Sequence, residues 1–400
     1  MSDVTPYRSA LRARNALWAT FGIMGVVSMA WVPRIPEIKD ALNLSNGQFG
    51  FLLMGSAFGS LCGAQLAGRL IHTYGSKMVS SISAVIMPLG LIGIAYSGNA
   101  IELFLTLFVL GLGYSSLDIS VNTQAVAVEK LLGRRWMSSF HALWSSGAFV
   151  TTVLGGSIAR HTTPQFNLVL VGLVSLLLYI PAVSALLNSH LDDHDGGAEE
   201  TQVKIPLIGR SVLPLWAIGI GLFGALIAEG AASDWGAILL RDHMGIAKGV
   251  NASAFASFAL AMIVSRFLGD RVLEHFGPAK TVRLGGYIGG SALGLSIAIA
   301  VPLSSHAPGA ALIVVNLGFI IAGLGMGPIF PAYILAASAV PGIAPSVAIA
   351  RVGVIGLTAF FIGPALTGGL AQATSLPIAM AFPALMFIFS GYQSRAIKVK

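Results

Sequence analysis

The fold of this chain is decided by a carboxylate inside a long apolar run, Gly111-Leu112-Gly113-Tyr114-Ser115-Ser116-Leu117-Asp118-Ile119-Ser120-Val121-Asn122. At helical spacing, Gly111, Ser115, Asp118 and Asn122 fall on one stripe. A carboxylate this far inside a hydrophobic helix costs several kcal/mol if it faces lipid. The stripe is therefore expected to face a protein interior or a water-filled cavity.

The composition places the whole chain in a membrane. Of 400 residues, 55% are hydrophobic and 10% are charged, whereas a soluble chain carries roughly a quarter charged residues. The 48 glycines suit close packing between membrane helices. The net charge of +7 does not indicate nucleic-acid binding, because the basic residues lie in short clusters between apolar runs. The lipid bilayer is the expected surrounding.

Apolar runs of roughly 20 residues, the length that crosses a bilayer, recur twelve times. They are predicted as helices at 16–36, 48–71, 78–98, 101–127, 137–159, 166–187, 211–234, 250–270, 281–303, 308–337, 344–370 and 375–393. With both termini in the cytoplasm, sixteen Lys and Arg residues lie on the cytoplasmic side and four on the other. The positive-inside rule therefore predicts this orientation.

One hydrophilic stretch divides the helices into six plus six. It predicts an N-terminal bundle at 1–187, a cytoplasmic linker at 188–210 and a C-terminal bundle at 211–400. His190 and His194 are four residues apart among acids, which admits a weak metal site, but a solvated hinge is the favoured interpretation.

The two halves repeat. The second predicted helix carries a small residue at every fourth position: Gly55, Gly59, Gly63 and Ala67. The eighth carries a matching ladder 202 positions later: Ser257, Ala261, Ser265 and Gly269. The loops that follow also match at this offset, Tyr74-Gly75 with Phe276-Gly277. Gly111-Leu112-Gly113 also recurs as Gly323-Leu324-Gly325. Parallel repeats of this kind are a transporter architecture with its substrate site near the middle of the membrane. The fold predicted is an all-α membrane protein of twelve transmembrane helices with 6+6 pseudo-symmetry.

The loop Gly68-Arg69-Leu70-Ile71-His72-Thr73-Tyr74-Gly75-Ser76-Lys77 resembles that of the major facilitator superfamily. Five further stretches resemble its fucose-permease-like branch: Pro36 to Gln48, Leu117-Asp118 with Asn122, His141 to Gly147, Glu229 with Trp235, and Gly325 to Pro331. The pattern Trp31-Val32-Pro33-Arg34-Ile35-Pro36 is most similar to poorly characterised bacterial inner-membrane members. The resemblance implies a major facilitator fold in a bacterial inner membrane and assigns the Asp118 position to proton or sugar handling. Val32 stands where the fucose permeases have an acid, so coupling through that position is not implied.

Three titratable residues are candidates for proton coupling: Asp118, Glu229 and His141. An intramembrane acid can take up and release a proton as a cavity opens to either side, and an imidazole changes charge in the physiological range. For Asp118 and His141, a structural hydrogen bond to a neighbouring helix is the alternative.

Four residues are candidates for substrate binding: Asn122, Ser115, Trp144 and Arg351. Trp144 offers an aromatic plane on which a sugar can stack, with packing or an interfacial belt as its alternative. Arg351 can bind a carboxylate or an acidic side chain, or it snorkels to the cytoplasmic surface.

Seven residues are predicted to act in gating: Arg34, Arg69, Lys77, Arg271, Glu274, Pro328 and Pro331. Pro328 removes a backbone hydrogen bond in the tenth predicted helix, so the stretch from Gly325 to Pro331 is expected to break that helix. A rigid kink is the alternative to a moving gate. For Arg34, a gating ion pair and a simple surface role are both open.

The missing motifs limit the function. The sequence has no phosphate-binding loop, no convincing metal-ligand spacing and no nucleophile elbow, so we predict neither an enzyme nor a cofactor. The sequence favours a monomeric secondary active transporter that takes up a small sugar or polyol by proton symport. The alternatives are an exporter of amphiphilic compounds by proton antiport and, in a different class, a membrane enzyme or sensor without transport.

Overall fold

A computed structural model describes residues 4–134, 136–192, 209, 212–343 and 345–397. Residues 1–3 and 398–400, the termini that were predicted to lie in the cytoplasm, are outside the described residues. So is most of the predicted 188–210 linker, including His194. The same holds for five of the basic residues used in the orientation argument: Arg135, Lys204, Arg210, Lys398 and Lys400.

Within these ranges the chain forms α-helices joined by short turns. They are α1 (Val4–Met29), α2 (Ile35–Ala41), α3 (Asn46–Tyr74), α4 (Ser76–Tyr96), α5 (Ala100–Leu132), α6 (Met137–Ile158), α7 (Pro164–Ser184), α8 (Leu213–Ile238), α9 (Ser253–Phe276), α10 (Pro278–Leu303), α11 (Pro308–Met326), α12 (Ile329–Ser338), α13 (Pro345–Leu357), α14 (Ala359–Ala373), α15 (Leu376–Ala379) and α16 (Ala381–Gln393). The predicted all-α class is confirmed.

In the described part of the chain, eleven helical segments are long and apolar enough to cross a membrane. The remaining predicted span, 137–159, is the 22-residue helix α6, which is less apolar because His141 and several hydroxyl side chains interrupt it. Local chemistry explains both ends of α5. At its start, the Asn99 side chain accepts a hydrogen bond from the backbone N–H of Glu102. At its end, Gly133 adopts the left-handed conformation, with φ +62°.

Several predicted spans are broken helices, and prolines explain two of the breaks. The predicted 308–337 helix is interrupted between α11 and α12, where Pro328 and Pro331 each lack a backbone N–H to donate to the preceding turn. The predicted 375–393 helix is divided between α15 and α16, and Pro383 stands four residues after Ala379. The predicted 344–370 helix is interrupted at Thr358, between α13 and α14, where the Thr358 hydroxyl donates back to the carbonyl of Ile355 at 2.6 Å.

The chain divides into two compact units. Unit 1 is Met1–Asn43 with Leu52–Gln202, and unit 2 is Leu44–Phe51 with Val203–Lys400. The start of α3 therefore belongs to unit 2: a Cβ on Gly47 would lie 3.4 Å from the Gln372 side chain. The ring of Phe49 packs edge-on against the buried indole of Trp235, with 5.6 Å between centroids.

The small-residue ladders bring helices into close contact inside each unit. In unit 1, a Cβ on Gly59 or Gly63 would collide with the backbone of α5. In unit 2, Ser265 on α9 donates to the carbonyl of Gly323 on α11 at 3.4 Å. Small residues allow this approach because no side chain separates the two backbones.

The structure repeats at the same spacing as the sequence. Gly75 and Gly277, at the starts of α4 and α10, have φ of +80° and +74°, a conformation that favours glycine. Gly111 packs against the carbonyl of Ser56, and its counterpart Gly323 packs against that of Phe258, which lies 202 residues after Ser56.

Candidate functional site

The predicted acid and amide of α5 are hydrogen-bonded to each other in unit 1. Asp118 and Asn122 lie one turn apart in the interior of the helix, and both are half-buried. The Nδ2 of Asn122 donates to the backbone carbonyl of Asp118 at 2.8 Å and to its carboxylate Oδ1 at 3.1 Å. The carboxylate is thus held by an amide from its own helix.

His141 on α6 extends this pair across the helix interface. Its Nε2 lies 3.3 Å from Oδ1 of Asn122, so a proton on that nitrogen is donated to the amide. The imidazole is exposed and contacts the ring of Phe21 on α1 edge-on, with 5.1 Å between ring centroids. Phe21 is fully buried and stacks on Phe140. The three polar side chains therefore form a hydrogen-bonded row, which we call the polar row: His141, Asn122 and Asp118.

Two more predicted binding residues lie on the same two helices. Ser115 is half-buried on α5, one turn before Asp118. Trp144 is half-buried on α6, one turn beyond His141. Its indole Nε1 is buried, and no hydrogen-bond acceptor among the described residues reaches it. Unit 1 thus carries most of the residues predicted to bind substrate.

The other predicted charged residues of the membrane interior lie in unit 2. Glu229 on α8 is 24% exposed, and its Oε1 lies 3.9 Å from Nη2 of Arg266 on α9, which is 37% exposed. Arg351 lies half-buried on α13. The sequence prediction did not include Arg266 as a site residue, although a basic side chain within a predicted span is itself a signal of a functional or paired position.

Arg34, predicted at a gate, is fully buried inside unit 1. Its Nη1 forms a salt bridge with Glu37 at 2.9 Å. The guanidinium also donates to Thr162 Oγ1 at 2.6 Å, in the turn between α6 and α7, and to Asn167 Oδ1 at 3.4 Å, in the first turn of α7. These contacts tie the end of the first span to the turn between α6 and α7.

The remaining residues predicted for gating lie at helix ends and at one break. Arg69, Arg271 and Glu274 are exposed near the ends of α3 and α9. Pro328 is buried at the break before α12, and Pro331 is exposed in its first turn.

The predicted solvated hinge is exposed at residues 188–190 and becomes buried at Asp192. Asp192 is 1% exposed, and its Oδ2 accepts from the backbone N–H and the hydroxyl of Ser76, at 2.8 and 2.6 Å. Gln124 donates to the same hydroxyl and to the carbonyl of Leu187, and Lys77 donates to the carbonyl of Ser184 at 2.8 Å. The expectation of a solvated segment is therefore wrong for Asp192, because its carboxylate satisfies a free backbone N–H group at the start of α4.

The described residues contain no cluster of three or more His, Cys, Asp or Glu side chains that could hold a metal ion. The polar row has one carboxylate, one amide and one imidazole, a set suited to proton exchange and to hydrogen bonding with polar solutes.

Comparison with known proteins agrees with this architecture. A model of the Major Facilitator Superfamily matches residues 16–350. An uncharacterised MFS-type transporter of Yersinia pestis is 31% identical over 383 residues, covering 94% of this chain and 94% of that protein.

Two solved structures have the same fold. The nucleoside transporter NupG superposes with a TM-score of 0.76 at 12% identity, covering 98% of this chain and 100% of that one. A bacterial homologue of the human lysosomal transporter Spinster superposes with a TM-score of 0.73 at 16% identity, covering 97% and 98%. The extent of the family match and the identity to the Yersinia protein together show that this chain belongs to the Major Facilitator Superfamily and is a transporter rather than an enzyme.

Proposed function

We propose that this transporter takes up a small sugar or polyol by proton symport, through alternating access. The observation that carries the proposal is the polar row, in which His141 meets Asn122 at 3.3 Å and Asn122 meets the carboxylate of Asp118 at 3.1 Å. A carboxylate inside a membrane span is costly, so its presence there favours a role in a proton or substrate pathway.

In the proposed symport, the polar row binds both the proton and the solute. When Asp118 is ionised it only accepts hydrogen bonds; when it is protonated it loses its charge and can also donate. Binding of a proton therefore changes both the charge and the hydrogen bonding that a solute meets at Asn122 and His141. This supports a coupled step in which the protonated row binds the solute. Glu229, beside Arg266, is a second candidate for the proton carrier in unit 2.

The chemistry of a sugar suits the neighbouring side chains. Hydroxyl groups both donate and accept, as do the Ser115 hydroxyl, the Asn122 amide and the His141 imidazole. Trp144 adds an aromatic plane and a buried indole N–H that lacks an acceptor among the described residues. Arg351 is also proposed to bind substrate, and the helix break at Pro328 and Pro331 is proposed as a moving element.

We further propose that the protein is a monomer in a bacterial inner membrane with both termini in the cytoplasm. The excess of basic residues on one set of loops supports this orientation. The exposed helix-end residues Arg69, Arg271 and Glu274 are then on the cytoplasmic side, where gating residues are expected.

The test is flux in proteoliposomes with an imposed pH gradient, acidic outside, using a panel of sugars, polyols and amphiphilic cations. We expect uptake of at least one sugar or polyol to be accelerated by the gradient. Asp118→Asn keeps a polar side chain of the same size but cannot exchange a proton, so it should abolish gradient-driven accumulation while leaving exchange of solute across the membrane.

The matched control is Glu102→Gln, which removes a carboxylate from the same helix at its exposed first turn. It should transport as the unaltered protein does. Uptake that does not depend on the pH gradient and is unchanged in Asp118→Asn would overturn the proposed proton coupling. Gradient-driven efflux of amphiphilic cations would instead indicate proton antiport.

A further inference from the structure

An apolar groove opens on the outer surface of unit 1, between α1, α6 and α7. It has a volume of about 640 Å³ and runs from Trp18 to Val26 along α1 and from Leu178 to Leu170 along α7. Its walls include outward-facing side chains such as Leu178 and Val174, which are 52% and 43% exposed. In a membrane such a surface contacts acyl chains.

Two arginines are stacked on tryptophans at one end of this groove. Trp18 lines the groove and packs edge-on against Trp136, with 5.5 Å between ring centroids. The guanidinium carbon of Arg14 lies 4.7 Å from the centroid of Trp18 and 4.8 Å from that of Trp136. That of Arg134 lies 5.3 Å from Trp136. The indole of Trp18 is itself held by its N–H bond to the Ser139 hydroxyl at 2.8 Å.

These cations have no carboxylate partner in the described part of the chain. The hydrogen bonds of Arg14 go to the neutral side-chain oxygen of Asn15. The neighbouring carboxylate of Glu129 accepts instead from the backbone N–H groups of Trp136 and Met137. The indole Nε1 of Trp136 is buried and meets no acceptor among the described residues. The end of the groove therefore presents two positive charges beside an apolar channel.

We propose that this groove binds an anionic phospholipid, with its phosphate between Arg14 and Arg134 and an acyl chain lying along α1, α6 and α7. A guanidinium matches a phosphate through paired N–H donors. Indole rings occupy the depth of lipid headgroups, and basic pockets between membrane helices bind anionic headgroups. A phospholipid joins the two chemistries, an anion and an alkyl chain, in one molecule. The site is separate from the polar row and does not depend on the proposed symport.

The test is native mass spectrometry of the full-length protein in detergent, titrated with palmitoyl-oleoyl phosphatidylglycerol or with the matching phosphatidylcholine. The two lipids share their chains and phosphate, but the choline headgroup cancels the negative charge. A basic residue beside an anionic headgroup contributes about fivefold in affinity, so two contribute about 30-fold. We expect phosphatidylglycerol to bind the unaltered protein more tightly by about that factor, and the double variant Arg14→Gln/Arg134→Gln to bind the two lipids equally.

A matched control removes the same charge elsewhere. Lys280 and Arg395 in unit 2 are also stacked on aromatic rings, those of Phe276 and Tyr392, at 4.9 and 4.2 Å. Lys280→Gln/Arg395→Gln should keep the preference for phosphatidylglycerol.

A second variant tests the groove itself. Val174→Trp fills the groove from an exposed position without altering charge, and should weaken first-lipid binding for both headgroups. The far-ultraviolet circular dichroism of every variant should match that of the unaltered protein. Equal binding of the two lipids by the unaltered protein, an equal loss in both double variants, or no effect of Val174→Trp would each overturn the site.

Discussion

Replacement of Arg34 tests whether this residue stabilises unit 1 or operates a gate. The side chain is fully buried, and its guanidinium lies within hydrogen-bond distance of seven acceptor atoms. These are Asn167 Oδ1 at 3.4 Å, both Glu37 carboxylate oxygens at 3.1 and 2.9 Å, the carbonyls of Ala159 at 3.2 Å, Thr162 at 3.0 Å and Thr163 at 3.2 Å, and Thr162 Oγ1 at 2.6 Å.

Arg34→Met fills a similar volume but removes the ion pair with the Glu37 carboxylate, which is 17% exposed. Removing one partner of a buried ion pair costs about 3–5 kcal/mol. Carbonyls left unpaired add to this, while the partial exposure of Glu37 to water reduces it, so we expect a loss of about 3–4 kcal/mol. Arg34→Lys keeps the charge, but its single ammonium group cannot contact both Glu37 and Thr162 as the guanidinium does. It should lose about half as much unfolding free energy.

The assay is denaturant unfolding of the purified protein in detergent, followed by tryptophan fluorescence, with transport measured in parallel. Glu37→Gln is the companion variant, because it retains an acceptor for Arg34 and should lose less than Arg34→Met. A loss below about 1 kcal/mol in Arg34→Met would refute the stabilising role derived from burial. If transport fell while stability held, the gating prediction for Arg34 would be supported instead.

Three other substitutions test contacts within the units by the same unfolding assay. Gly59→Ala places a Cβ against the backbone of α5 and should lower the free energy of unfolding by at least about 1–3 kcal/mol. Its control is Gly68→Ala on the same helix, whose Cβ would meet nothing within 4 Å and should be neutral or stabilising. Equal effects of the two substitutions would refute the close packing. Asp192→Ala removes a buried acceptor at the start of α4 and should lose about 1–3 kcal/mol, an effect that a solvated Asp192 would not show. Arg266→Gln should lose less than about 1 kcal/mol, because its 3.9 Å pair with Glu229 is long and partly exposed; a loss above about 2 kcal/mol would contradict that geometry.

The membrane class, the positions of the spans and the internal repeat were predictable from sequence. Each depends on a local property, such as the length of an apolar run or a glycine ladder at every fourth residue. These properties do not depend on which other segments pack beside the helix. Gly75 and Gly277 could be matched by their spacing alone, and both adopt positive φ. The break before α12 was also predictable, because proline acts on its own preceding turn.

The partners of the polar side chains were decided only by tertiary structure. His141 and Asn122 are 19 residues apart on different helices, and which of their faces meet depends on how α5 and α6 rotate against each other. For the same reason the sequence did not predict that Arg34 is buried in a network of carbonyls or that Asp192 reaches the start of α4. Hydropathy sets which segments enter the membrane because lipid acts on each residue separately, whereas a hydrogen bond between helices requires two distant segments to be brought to within about 3 Å.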